Sequence, residues 1–108
     1  MRIAVTAKGA GLGAWLDADF ARSLQIVIVG DDDRFEAWPN PFRTVEGNAA
    51  GLDLARRLLE SGVNALITGD IAPEAQAILE QAGVRVQHAE RGSVLELVEA
   101  FRAAASIH

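Results

Sequence analysis

The chain has 108 residues, half of them hydrophobic and none of them cysteine, which suits a single domain over residues 1–108 and excludes disulfides, thiolate zinc sites and a cysteine nucleophile. A net charge of −5 and a pI near 4.9 exclude nucleic acid as a main partner, because phosphate binding wants a basic face. Met1-Arg2 leads straight into an apolar strand, and no apolar run approaches the roughly 18 residues of a membrane span, so the expectation is a cytoplasmic protein with no membrane role.

Residues 2–7 (R-I-A-V-T-A) predict a buried strand, followed by the glycines Gly9, Gly11 and Gly13. Residues 24–29 (L-Q-I-V-I-V) give the strongest strand signal, rich in β-branched side chains. Gly30 and three consecutive acids, Asp31, Asp32 and Asp33, predict a tight turn. Residues 34–38 alternate polar and apolar as a half-exposed strand does, and Pro39-Asn40-Pro41 ends it. The second and third strands therefore form a hairpin. Residues 48–61 place Leu52, Ala55, Leu58 and Leu59 on one helical face, with Gly62 as the terminating glycine. Residues 63–68 (V-N-A-L-I-T) are the fourth strand. Pro73 opens a second helix carrying Ala75, Ile78, Leu79 and Ala82, which Gly83 ends. Residues 84–88 (V-R-V-Q-H) are the fifth strand. Ser93 and Glu96 form a capping box ahead of a third helix with Val94, Leu97, Val98, Phe101 and Ala105 on one face.

The order β-β-β-α-β-α-β-α contains βαβ units, whose right-handed crossovers make strands one, four and five parallel. If strand one runs up, residues 8–23, 40–48, 69–73 and 89–93 all gather at the top. The Asp31–Asp33 turn lies at the bottom. Open α/β sheets bind ligands outside the carboxyl ends of their parallel strands, which is the top.

Several motifs carry two readings each. Residues 9–14 (G-A-G-L-G-A) match a dinucleotide fingerprint after a strand, with Leu12, Trp15, Leu16 and Phe20 as a helical face and Asp31 about twenty residues on. Against this, strand two leads into a hairpin rather than a second crossover, and a plain flexible loop is the other reading. Gly69-Asp70 sits before a helix start, where backbone N–H groups suit an anion, or Asp70 pins its own turn. Gly92-Ser93 has the same ambiguity at the third helix. His88 shares a strand face with Val84 and Val86 and ends at the top, as a structural histidine or a ligand. Asp31–Asp33 reads as a solvated turn rather than a cation site. No pair of histidines has zinc spacing, so no mononuclear zinc site is expected. No catalytic constellation is evident, so an enzyme is not expected.

Four segments together carry a resemblance to a known family. They are the opening M-R-I-A-V, Asp19-Phe20-Ala21-Arg22-Ser23 before a strand, the start of the first helix around residues 47–51, and residues 65–73 (A-L-I-T-G-D-I-A-P) with the later Ala82-Gly83-Val84. The chain resembles the dinitrogenase iron–molybdenum cofactor biosynthesis family, the NifX-like domains. The resemblance implies a ribonuclease-H-like α/β fold with a mixed five-stranded sheet ordered 3-2-1-4-5 and three helices. It also implies a small binding or carrier protein for an iron–sulfur or iron–molybdenum cluster or its precursor, with a protein partner in cofactor assembly. The expected site comprises Lys8, Asp19, Arg22, Gly69, Asp70, His88 and Arg91, with Lys8, Arg22 and Arg91 complementing an anionic ligand. Family members commonly have His-Phe-Gly where this chain has Asp19-Phe20-Ala21, so the family's natural cluster ligand is replaced by a harder oxygen donor. Two other readings stay open: a nucleotide or small-molecule binder using residues 9–13, and a protein-interaction adaptor without a ligand.

Overall fold

A computed structural model describes residues 1–105, with elements β1 (Ile3–Ala7), β2 (Gln25–Val29), β3 (Phe35–Pro39), α1 (Ala49–Glu60), β4 (Ala65–Thr68), α2 (Pro73–Gln81), β5 (Arg85–His88) and α3 (Val94–Ala105). His108 lies outside the described residues. The strands form one sheet ordered β3-β2-β1-β4-β5, as the resemblance implies. β1 pairs antiparallel with β2, and β2 with β3; β1, β4 and β5 run parallel.

Strand alternation sorts the side chains into two apolar layers. Ala4, Ile26, Ile28 and Leu66 face α1 and α2, where Leu54, Leu58, Ala75 and Leu79 meet them. Ile3, Val5, Val27, Val29 and Ile67 face α3, against Val94, Val98 and Phe101. β1 and β4 are buried throughout, whereas the edge strands β3 and β5 are largely exposed.

Among the boundaries that differ from the sequence reading, two have identifiable reasons. Pro39 is the last residue of β3 rather than its terminator. One side of an edge strand makes no ladder bonds, so a missing N–H is tolerated there. Residues 63 and 64 precede β4: Val63 N–H reaches back to Leu58 O at 3.5 Å, and Asn64 N–H donates to Arg2 O at 2.8 Å. The first of these bonds belongs to a chain reversal used twice. Gly62 (φ +72°) and Gly83 (φ +87°) take the left-handed conformation just past α1 and α2. In each case the glycine N–H closes on the carbonyl three residues back, and the next residue's N–H on the carbonyl five back. This is the glycine-terminated helix end that satisfies orphan carbonyls. The echo between residues 61–63 and 82–84 is thus one physical device.

Candidate functional site

The carboxyl ends of β1, β4 and β5 lie together, and the loop leaving each strand shapes the site. After β1 the chain makes a short hairpin closed by the Ala7–Leu16 bridge, with Lys8 N–H donating to Trp15 O at 2.9 Å. This glycine loop then docks on the start of α3. Val94 N–H donates to Ala14 O at 2.9 Å and Leu95 N–H to Leu12 O at 3.0 Å. The dinucleotide fingerprint needs a helix opening from the loop, with its N–H groups free for a pyrophosphate. Residues 12–20 form turns and isolated bridges instead of a helix. The face expected of Leu12, Trp15, Leu16 and Phe20 does not exist: Leu16 and Phe20 enter opposite core layers, and Trp15 is 62% exposed.

Residues 17–24 are tied down by their own polar groups. The Asp17 carboxylate accepts from Asp19 N–H at 3.3 Å and Leu24 N–H at 3.1 Å. Asp19 accepts from Arg22 N–H at 3.3 Å, and the buried Ser23 hydroxyl donates to Phe20 O at 2.9 Å. Phe20 is 1% exposed and anchors the loop in the core. Thr6 and Thr68 share a buried hydroxyl contact of 2.7 Å at the ends of β1 and β4.

The loop then crosses the β4–α2 connection. Asp19 and Asp70 pair as a parallel bridge, with Phe20 N–H donating to Asp70 O at 3.0 Å and Asp70 N–H to Ala18 O at 2.5 Å. Gly69 is required here, since a Cβ would come within 2.8 Å of Ala18 Cα and 2.9 Å of its carbonyl carbon.

Between this crossing and the starts of α1 and α2 lies a cleft of about 420 Å³. Asp19, Gly69, Asp70 and His88 line it together with Phe20, Ala21, Gly47, Asn48, Gly51, Ile71 and Ala72. Neither helix start carries a side-chain cap. His88 Nδ1 lies 3.0 Å from Gly69 O, and Nε2 lies 3.2 Å from Gln76 Oε1.

The three expected cations are not brought to the cleft wall. Arg22 donates to Arg43 O at 2.8 Å, to Val45 O and to Gly47 O at 3.5 Å. It therefore holds the loop that carries Gly47 and Asn48 into place. Buried Asn40 secures the start of that loop, donating to Ala21 O and accepting from Phe42 N–H, both at 3.0 Å. Lys8 is exposed at the foot of the glycine loop. Arg91 lines a separate depression with Trp15, Gly92, Glu96, Leu97 and Ala100. Among the described residues, Lys8, Arg43 and Arg91 are the cations with no acid, carbonyl or ring as partner, and all three sit on loops at the cleft end.

The acidic turn lies at the opposite end, as strand direction requires. Asp31 pairs with the N-terminal ammonium at 2.7 Å, Asp32 with Arg34 at 3.2 Å and Asp33 with Arg102 at 2.7 Å. The ammonium, by hydrogen bond and charge, lowers the Asp31 pKa. Among the described residues, no three His, Asp or Glu side chains gather closely enough to hold a metal ion. No described helix is long and apolar enough to cross a membrane.

Residues 1–104 match the family described as dinitrogenase iron–molybdenum cofactor. The chain belongs to that family. Among solved structures it is similar to the apo form of the orange protein from Desulfovibrio gigas, at 34% identity and a TM-score of 0.89, over 95% of this chain and 88% of that one. It is also similar to a putative NifB protein from Thermotoga, at 28% identity and a TM-score of 0.79, over 94% and 87% of the two chains. No curated protein matches. Membership puts the Asp19–Ser23 segment in focus. Asp19 lines the cleft, and its crossing with Asp70 fixes its backbone.

Sequence reasoning missed two parts of this site. Gln76 looks like any exposed helix residue, and nothing local marks it as a neighbour of His88. Arg22 reads as a charge for a ligand, because the carbonyls it holds are more than twenty residues away in the chain.

Proposed function

We propose that this protein is a non-enzymatic carrier that holds a preassembled iron–molybdenum or iron–sulfur cluster, or its precursor, as cargo in the cleft. Family membership over residues 1–104 is the observation that carries this reading. The cleft's chemistry supports it. Two uncapped helix starts line it and suit an anion. The unpartnered cations Lys8, Arg43 and Arg91 stand on loops at the same end. No dedicated ion site is found among the described residues, which fits a cargo that brings its own sulfides and metals. Asp19, Gly69, Asp70 and His88 would contact it directly. Lys8 and Arg91 would act at longer range, and Arg22 by holding the cleft wall. A protein that makes or receives the cluster is the expected partner, in the cytoplasm.

The test is anaerobic titration with isolated iron–molybdenum cofactor. A saturable change in the cluster spectrum and co-elution at about one equivalent are expected of a one-site carrier. No spectral change and no co-elution would sink the reading. The nucleotide alternative is weakened by the glycine loop's docking on α3, and saturation-transfer NMR with NAD and ATP should be silent.

A further inference from the structure

We infer that Nε2 of His88 is the protein donor that meets a metal atom of the cargo, and that Gln76 occupies its place when no cargo is bound. The inference rests on the carrier reading of the cleft and names the atom that does the holding.

Gly69 O can only accept, so its 3.0 Å contact with His88 requires the proton to sit on Nδ1. That carbonyl is itself held in place. Gly69 packs directly under Ala18, and the next residue's N–H is bonded to Ala18 O. Metal-ligating imidazoles commonly donate one ring N–H to a backbone carbonyl, which fixes the tautomer and aims the other nitrogen at the metal. Here the other nitrogen is Nε2, on an exposed ring that lines the cleft.

Nε2 faces Gln76 Oε1 at 3.2 Å, and the Gln76 amide nitrogen lies 3.4 Å from Glu80 Oε1. Two acceptors do not approach each other without a proton between them. Either Nε2 carries a second proton, or the Gln76 amide turns over and donates to it. In both states Gln76 stands where a metal would bind. On loading, a metal–nitrogen bond forms at Nε2, any proton there passes to solvent, and Gln76 swings away from the first turn of α2. An imidazole suits transition metals better than the cleft carboxylates Asp19 and Asp70 do. With no cysteine in the chain, His88 supplies the one nitrogen side-chain donor of imidazole type among the residues that line the cleft.

The test uses the full chain carrying His108→Gln, which leaves His88 as its one histidine. At about pH 8, above the ordinary histidine range, long-range proton–nitrogen NMR should find the ring proton on Nδ1. A proton on Nε2 instead would overturn the assignment. Titration with Co(II) should broaden amide signals around residues 69–76 and 88. His88→Gln should raise the half-saturating concentration roughly tenfold or more. Gln76→Ala should lower it by roughly twofold to tenfold, because a competing hydrogen bond is removed. An unchanged half-saturating concentration in His88→Gln, or in Gln76→Ala, would overturn the inference, provided the variants keep the wild-type amide spectrum elsewhere. If these results hold while isolated iron–molybdenum cofactor ignores the protein, the carrier reading fails, the inference about the cargo falls with it, and Nε2 is left as a donor to a metal ion alone.

Discussion

Gly69 lies against the backbone of Ala18, with room for a hydrogen and none for a methyl group. This contact lets the 17–24 loop cross the β4–α2 connection, and it sets Asp19 beside Asp70 at the mouth of the cleft. A methyl at position 69 meets backbone on a loop fixed at both ends, so it cannot be relieved by a rotamer change. Gly69→Ala should cost about 1–3 kcal/mol, as overpacking does, read as a lower urea midpoint at unchanged slope. Gly11→Ala, with open space around it, should stay within about 0.5 kcal/mol of wild type.

The Thr6–Thr68 pair predicts an asymmetry. Thr6 Oγ1 donates its proton to Asp17 O at 2.8 Å, so the proton between the two hydroxyls belongs to Thr68. Thr6→Val leaves the buried Thr68 hydroxyl without its acceptor and should cost about 1–3 kcal/mol. Thr68→Val leaves Thr6 still bonded to Asp17 O and should cost only about 0.5–1.5 kcal/mol. The double variant should lose less than the sum, which a denaturation double-mutant cycle would show.

Arg22 should matter for the cleft wall more than for charge. Arg22→Gln removes guanidinium bonds to three carbonyls of the 43–47 loop. Amide hydrogen exchange should accelerate at residues 42–48 while β1 and β4 keep their protection. Stability should fall by about 1.5–3 kcal/mol, the range for hydrogen bonds to a charged donor. Uniform acceleration across the sheet would contradict a local role.

The α3 capping box predicts a pH dependence. Glu96 accepts from Ser93 N–H at 3.1 Å, and Ser93 Oγ accepts from Glu96 N–H at 3.2 Å. The Ser93 hydrogen bonds, backbone first, lower the Glu96 pKa from its ordinary 4.5. A carboxyl depressed in the folded state stabilises above its unfolded pKa and loses that contribution as pH falls through the folded value. Thermal melts of the wild type should therefore drop faster than those of Glu96→Gln below about pH 4.5, and the two should keep a constant offset near neutrality.

Local sequence patterns carried much of the fold. Residues 24–29 could be little other than a strand, and Gly62 and Gly83 each stand where a helix must reverse into the next strand. Strand direction follows from element order: crossovers make β1, β4 and β5 parallel, and the antiparallel run β1–β2–β3 puts Asp31–Asp33 at the end away from the cleft. Boundaries drifted where a tertiary bond decided them: Asn64 leaves the β4 ladder to bond Arg2, and Pro39 stays in β3 because that edge has no outer neighbour.

For the site, the sequence alone pointed to one end of the sheet, because the carboxyl ends of the parallel strands depend only on element order. It also determined that no thiolate could serve there. The tertiary structure decided which residues share the cleft. Arg22 turned to backbone carbonyls, Arg91 fell on the α3 side of the sheet, and His88 met Gly69 and Gln76. Those outcomes depend on how loops pack against one another over a few ångströms, and a loop's hydrogen-bond partners are set by neighbours far away in the chain.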